Sequence, residues 1–291
     1  MNQYKFSGHE TFQCRHFWLK KGYDFVSKNG DFRSNEALIE LGVGKNMISS
    51  INHWLKAFGL TDLKSGELSD FAHKLFGEDS YDPYLEDNGS LFLLHFKILS
   101  NPELASIYSL VFNDFRKTRI SSEFTIEQLY DFISRKLIAE DLTFSEKTIR
   151  NDIKVFIRTY QTSSKRGSKS IEDDFASVLI GLHLIDPIKD VFIDGNQVYK
   201  IQYDIQEGLS EYVFLFAILD FYGDRTSISF EEIQKDISDN FLCNLEGTEI
   251  KLNTLAQNGY IVYKQDAGRK EVQIKSAVNK WGILDKYYGR V

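Results

Sequence analysis

Residues 34–58 read SNEALIELGVGKNMISSINHWLKAF, two apolar-periodic runs separated by a glycine-bracketed turn. In the first run Ala37, Leu38 and Leu41 share one face of a short helix that opens at Ser34, a side chain suited to an N-cap. Gly42-Val43-Gly44 ends that helix. In the second run Met47, Ile48, Ile51, Trp54, Leu55 and Phe58 recur at i, i+1, i+4, i+7, i+8 and i+11, the spacing of one buried helical face. Short helix, tight turn and longer helix make up the helix-turn-helix arrangement. The outer face of the second helix carries Lys45, Asn46, Ser49, Asn52, His53 and Lys56. These hydrogen-bonding types suit base edges and phosphates, and no carboxylate stands among them. The plainer reading is an ordinary solvated face, because helical hairpins are common outside DNA-binding proteins.

On the N-terminal side, Phe17, Trp18, Tyr23, Phe25 and Val26 predict a helix over 13–28, closed by the turn Lys28-Asn29-Gly30-Asp31. On the C-terminal side, short helices are expected at 68–75, 91–99, 102–115 and 124–137, with an acidic loop at 79–90. Thr143 and Glu146 have capping-box spacing at the head of a helix that runs to Tyr160. Its apolar face is Ile149, Ile153, Phe156, Ile157 and Tyr160, while Lys147, Arg150, Lys154 and Arg158 line another side. Such a stripe can track a phosphate backbone, and it can equally be solvated or paired with the acidic loop.

Residues 161–170, with Lys165, Arg166 and Lys169, read as a linker. Beyond it come an apolar helix near 175–184, a hairpin at 191–199 turning at Asp194-Gly195, and helices near 211–222, 230–237 and 246–258. A second hairpin, 260–264 with 271–275, turns through Asp266-Ala267-Gly268-Arg269. Three helices followed by a hairpin is the winged-helix order, and its tip offers Lys264, Arg269 and Lys270 to a backbone. Glu246 and Glu249 stand where base contacts usually originate, so this unit reads equally as a DNA or a protein module. The expectation is a mainly α fold of helix-turn-helix and winged-helix units with small β-hairpins. Its parts are 1–80, 81–165 and 171–291.

Composition limits the function. The net charge of −7 argues against a protein that coats nucleic acid through bulk charge. Charge is uneven, however: residues 1–60 hold eight Lys/Arg against five Asp/Glu, and residues 61–90 hold two against eight. Any DNA contact is therefore local. Pro is scarce, at 3, which favours uninterrupted helices, and 23 Phe make aromatic cores. Residues 1–10 lack the basic and apolar regions of a signal peptide, and no apolar run approaches the roughly 18 residues that span a bilayer. Cys14 and Cys243 are far apart and read as reduced thiols, so the expected setting is the cytoplasm.

Three groups have residue types that could carry chemistry. Leu41-Gly42-Val43-Gly44-Lys45-Asn46 is not a phosphate loop, because Ile39 replaces the first glycine, Asn46 replaces Ser/Thr, and a helix precedes it. His9, Glu10, Cys14 and His16 crowd the N-terminus and include good metal ligands, but no second cluster at zinc spacing accompanies them. Asp82, Glu86 and Asp87 group three carboxylates of the kind that hold Mg²⁺ or Mn²⁺ for phosphodiester cleavage. A capped acidic loop is the structural alternative. No nucleophile–base pair and no familiar nuclease signature accompanies them.

Several longer motifs add a resemblance. Phe6-Ser7-Gly8-His9-Glu10-Thr11-Phe12, Trp18-Leu19-Lys20-Lys21-Gly22, residues 41–47, residues 82–87 and residues 151–160 occur in this order. Together they resemble a bacterial domain-of-unknown-function family of defence islands, found beside enzymes of the phosphoadenylylsulfate-reductase type. Its members include the SspB-like proteins of single-strand DNA phosphorothioation systems. The resemblance covers about residues 1–165 well and the remainder by pattern only. It implies a part in replacing a non-bridging backbone oxygen of DNA by sulfur, with DNA nicking. The implied partners are a cysteine desulfurase, an ATP-using sulfur-transfer enzyme and an ATPase. It supplies no catalytic residues to carry over, so His9, Glu10, Asp82, Glu86 and Asp87 are the set expected to serve the implied metal-dependent nicking. Two other readings stand beside it: a helix-turn-helix transcriptional regulator binding a palindrome as a homodimer, and a non-catalytic adaptor docking a partner through its winged helix.

Overall fold

The computed structural model describes residues 4–161, 177–266 and 268–290. The described residues of 1–87 and 97–202 form one compact unit, and those of 88–96 and 203–291 form a second. The fold is mainly α, with two three-stranded antiparallel sheets. Among the described residues no helix is long and apolar enough to cross a membrane.

The first unit opens with α1 (Trp18–Ser27), α2 (Glu36–Leu41), α3 (Lys45–Ala57) and α4 (Asp70–Phe76). Helix α1 packs on α3 where Gly22 lies against Ile51 and Leu55, and its Tyr23 ring rests on His73 and Phe76 of α4. Helix α2 ends because Gly42 takes φ 61°, a left-handed cap that L side chains resist. Ser34 contributes as read from sequence: its Oγ accepts from the Ala37 amide at 3.3 Å, although Asn35 is the residue next to the helix. Helix α1 begins five residues later than the periodicity suggests. The chain at 14–15 is held extended instead, with Arg15 bridged to Ser177 and the Val178 amide donating to the Cys14 carbonyl.

Helix α5 (Asn88–Leu99) follows, and its residues up to Phe96 belong to the second unit. There Phe92 and Phe96 pack on Phe241, and the Ser90 hydroxyl bonds that of Tyr288 at 2.7 Å.

The rest of the first unit is α6 (Ser106–Ser109), which runs on as a π-helix (Leu110–Phe115), then β1 (Glu123–Phe124), α7 (Ile126–Ala139), α8 (Glu146–Tyr160), β2 (Ile185–Ile193) and β3 (Asn196–Ile201). The sheet order is β1-β3-β2. The second unit contains α9 (Glu211–Tyr222), β4 (Ser227–Ser229), α10 (Phe230–Ile233, continuing as a π-helix to Ser238), α11 (Leu245–Gln257), β5 (Ile261–Asp266), β6 (Arg269–Ile274) and α12 (Lys280–Tyr287). Its sheet order is β4-β6-β5. The same succession therefore occurs twice: helix, short strand, helix, helix, hairpin. In both cases the short strand pairs with the second strand of the hairpin.

Two expectations change. The capping box at Thr143 and Glu146 does not form: Ser145 is the N-cap without a side-chain bond, and Arg150 takes the Glu146 carboxylate. Capping boxes stand instead at Thr125/Gln128 and Ser229/Glu232, each directly after a short strand. Of the helix expected at 175–184, the described part holds only a 3-10 turn, Ile180–Leu182. The backbone at Ser177 and Leu184 is engaged by Arg15 and Gln202 instead. The expected linker at 161–170 lies outside the described residues apart from Gln161, as does Ala267 of the second turn.

Candidate nucleic-acid interface

Three helices carry the candidate DNA-contacting residues, and their surroundings differ. On α3, Lys45, Asn46 and Ser49 are exposed and Asn52 and Lys56 are half-buried. His53 is not on that face. Its ring is buried under the backbone of Gly8, where an added Cβ would lie 2.6 Å from Nδ1, so only glycine fits there. Its Nε2 is buried without a hydrogen-bond partner among the described residues. Burial, followed by the charges of His9, Lys5 and Lys56, pushes the His53 pKa down to about 3.

On α8 the expected stripe is broken. Lys147 and Lys154 are exposed, and neither makes an ion pair or hydrogen bond with a described side chain. Arg150 is committed elsewhere: its two terminal nitrogens meet both oxygens of Glu127 on α7 at 2.7 and 2.9 Å, and Nε meets Glu146 at 2.7 Å. The guanidinium also lies 4.1 Å from the Tyr130 ring centroid. Hydrogen bonding from Arg150 lowers the Glu127 pKa, and the same bonds raise that of Arg150. The residue therefore staples α7 to α8. Replacing it with Met should cost about 0.5–1 kcal/mol in urea unfolding, the range of a partly exposed pair. No loss would show the staple to be inert. Arg158 donates to the Thr11 carbonyl at 3.0 Å, which holds the N-terminal loop.

At the C-terminal hairpin Arg269 is exposed, but Lys270 pairs with Glu249 of α11 and lies 5.0 Å from the Phe230 ring. The outer face of α11 shows Leu245 and Ile250 beside Glu246, with no cation among them.

The deepest polar arrangement joins α3, α8 and the loop before α1. Asp152, buried on α8, accepts the Ser7 amide with both carboxylate oxygens at 3.0 Å. His9 Nδ1 accepts the Thr11 amide at 3.2 Å, which leaves the proton of a neutral ring on Nε2. Nε2 faces Asp152 Oδ1 at 3.3 Å, off the line of a good hydrogen bond. The His9 ring stacks on Trp54 at 5.7 Å and 10°, and the Trp54 indole donates to the Phe12 carbonyl at 3.2 Å. These contacts hold a loop in which Ser7, Glu10 and Thr11 all have positive φ, at 59°, 49° and 68°. Such backbone persists only where its surroundings over-determine it. Sequence reading missed Asp152, although a carboxylate beside the Ile149, Ile153 and Phe156 face was the available sign.

The two acidic and N-terminal groups are not assembled as cation sites. Asp82 is 7% exposed and spends both oxygens on the Glu86 and Asp87 amides at 3.0 Å, so it caps its own loop. Of the N-terminal group, Cys14 is fully buried and His16 bonds the Tyr84 carbonyl at 2.6 Å. Glu10 is exposed. Among the described residues no three His, Cys, Asp or Glu side chains converge as a metal-holding group.

A profile described as "Protein of unknown function (DUF4007)" matches residues 6–288. Two solved structures are similar to the chain: a magnesium ion-bound SspB crystal structure, with TM-score 0.81, and an SspB crystal structure, with TM-score 0.80. Each is 25% identical, and the alignments cover 98% of this chain and 88% of the other. Among curated protein sequences none matches significantly.

Proposed function

The chain belongs to DUF4007, a family of proteins of unknown function, and on that premise we propose that it is a DNA-binding component of a bacterial DNA phosphorothioation and phage-defence system. The observation that carries the DNA reading is the helix–strand–helix–helix–hairpin succession of the first unit, in which β1 pairs with β3. This is the order of a winged helix, whose third helix enters the major groove. Here that helix is α8, and it presents Lys147 and Lys154 to solvent. The α2–α3 pair supplies a helix-turn-helix with Lys45, Asn46 and Ser49 exposed. The likeness to SspB structures and the motif resemblance support the phosphorothioation setting. In this reading the sulfur chemistry belongs to the desulfurase, sulfur-transfer and ATPase partners, and the chain presents DNA to them.

The test is duplex binding across a salt series. Lys147→Ala with Lys154→Ala should weaken binding on every sequence and flatten the log–log salt slope by about 0.9 for each phosphate no longer neutralised. Equal slopes for variant and parent would remove α8 from the interface. A steep mismatch penalty on a palindrome would favour the regulator instead. Conversion of supercoiled plasmid to open circle with Mg²⁺ or Mn²⁺, and not with chelator, would make the chain itself a nickase.

A second reading applies to the second unit alone. It repeats the winged-helix order, but its third helix, α11, offers Leu245 and Ile250 with Glu246, and Glu249 holds Lys270. That face supports protein docking rather than DNA contact, the role of an adaptor.

A further inference from the structure

We infer that the open groove along α1 receives an unpaired nucleotide of single-stranded DNA; this deepens the DNA-binding reading and rests on it. The groove has a volume of about 610 Å³ and runs past the C-terminal end of α2. Two aromatic side chains line it while open to solvent: Phe17 is 64% exposed and Tyr84 is 61% exposed. They are not loosely placed. His16 bonds the Tyr84 carbonyl at 2.6 Å, and its ring meets that of Phe17 edge-on at 5.1 Å. One histidine thus ties the loop at Tyr84 to the start of α1 and packs on the Phe17 ring.

Three lysines of the same groove, Lys20, Lys21 and Lys28, complete the chemistry. Lys20 is paired with Asp24. Lys21 donates to the Leu41 carbonyl at 3.0 Å and keeps two further N–H groups. Lys28 is exposed and makes no bond with a described side chain. Three lysines against Asp24 and Glu40 leave the groove lining with a local positive excess in a chain of net charge −7. Exposed aromatic rings beside lysines match a base that stacks and a backbone that is neutralised. A paired base cannot use such a site, because its faces are already stacked in the duplex. A free anion would leave the exposed Phe17 unexplained.

The experiment is fluorescence polarisation of the full chain with a short labelled oligothymidylate and a labelled duplex of equal length. Phe17→Ala with Tyr84→Ala should weaken the oligothymidylate about tenfold, the scale of unstacking one base, and leave the duplex unchanged. Phe17→Trp should retain oligothymidylate binding. Both positions are exposed, and an unchanged urea midpoint checks that the double variant folds. Duplex binding by the parent with no oligothymidylate binding, or equal losses on both probes in the double variant, overturns the groove and spares the DNA reading. Binding of neither probe by the parent overturns both. Capture of an acidic peptide without either DNA probe assigns the groove to protein.

Discussion

Lowering the pH from about 7 to about 5 should cost each unit about 2 kcal/mol of stability through one buried histidine apiece. In the first unit the residue is His53, beneath Gly8; in the second it is His95, fully buried in α5. Burial pushes both pKa values down to about 3, and a backbone bond at Asn240 opposes the shift only partly at His95. Both rings are therefore neutral in the fold, whereas the unfolded chain protonates them near the ordinary value of 6.5. Below that value the unfolded state binds more protons. Stability is whole above it and falls by about 1.4 kcal/mol per pH unit per histidine as the pH drops towards about 3. The measurement is urea unfolding at both pH values, followed by tryptophan fluorescence: Trp18 and Trp54 report on the first unit and Trp281 on the second. His53→Leu should flatten the pH dependence of the first transition only, and His95→Leu that of the second. The carboxylate background is common to all three proteins. A parental pH slope in either variant would show that its ring does not stay neutral.

The second large effect is expected at Asp152. Replacing it with Ala removes a buried carboxylate that holds the Ser7 amide and faces the buried His9 ring, in a loop already carrying three positive-φ residues. A loss of about 1–3 kcal/mol in the first unit follows from removing the shared acceptor that anchors this loop to α8. Asp152→Asn should recover little, because one of its two termini becomes a donor facing the Ser7 donor. The same urea titration at neutral pH checks this, and a loss below about 1 kcal/mol would falsify the claim that this carboxylate holds the loop.

Residues 34–58 are legible without their surroundings because everything they need is local. Apolar spacing of 3.6 defines α3, and a left-handed glycine ends α2. Hairpin β2–β3 is likewise marked by Asp194-Gly195, and α9, α10, α11 and the β5–β6 hairpin by their own periodicity. The strands β1 and β4, of two and three residues, have no such mark. Their extended state comes from pairing with β3 and β6, distant in sequence, and without them the repeated succession is invisible. Burial of side chains escapes for the same reason. His53 and Arg150 carry the right chemistry for DNA at helical spacing, but spacing does not say what lies opposite. Gly8 covers the first and Glu127 claims the second, from segments 45 and 23 residues away. The sequence by itself determined which segments are helical and which side of each is apolar, since periodicity and caps act within a few residues. Only the tertiary structure decided which polar side chains remain available to a ligand, because burial and ion pairing depend on partners brought together by folding.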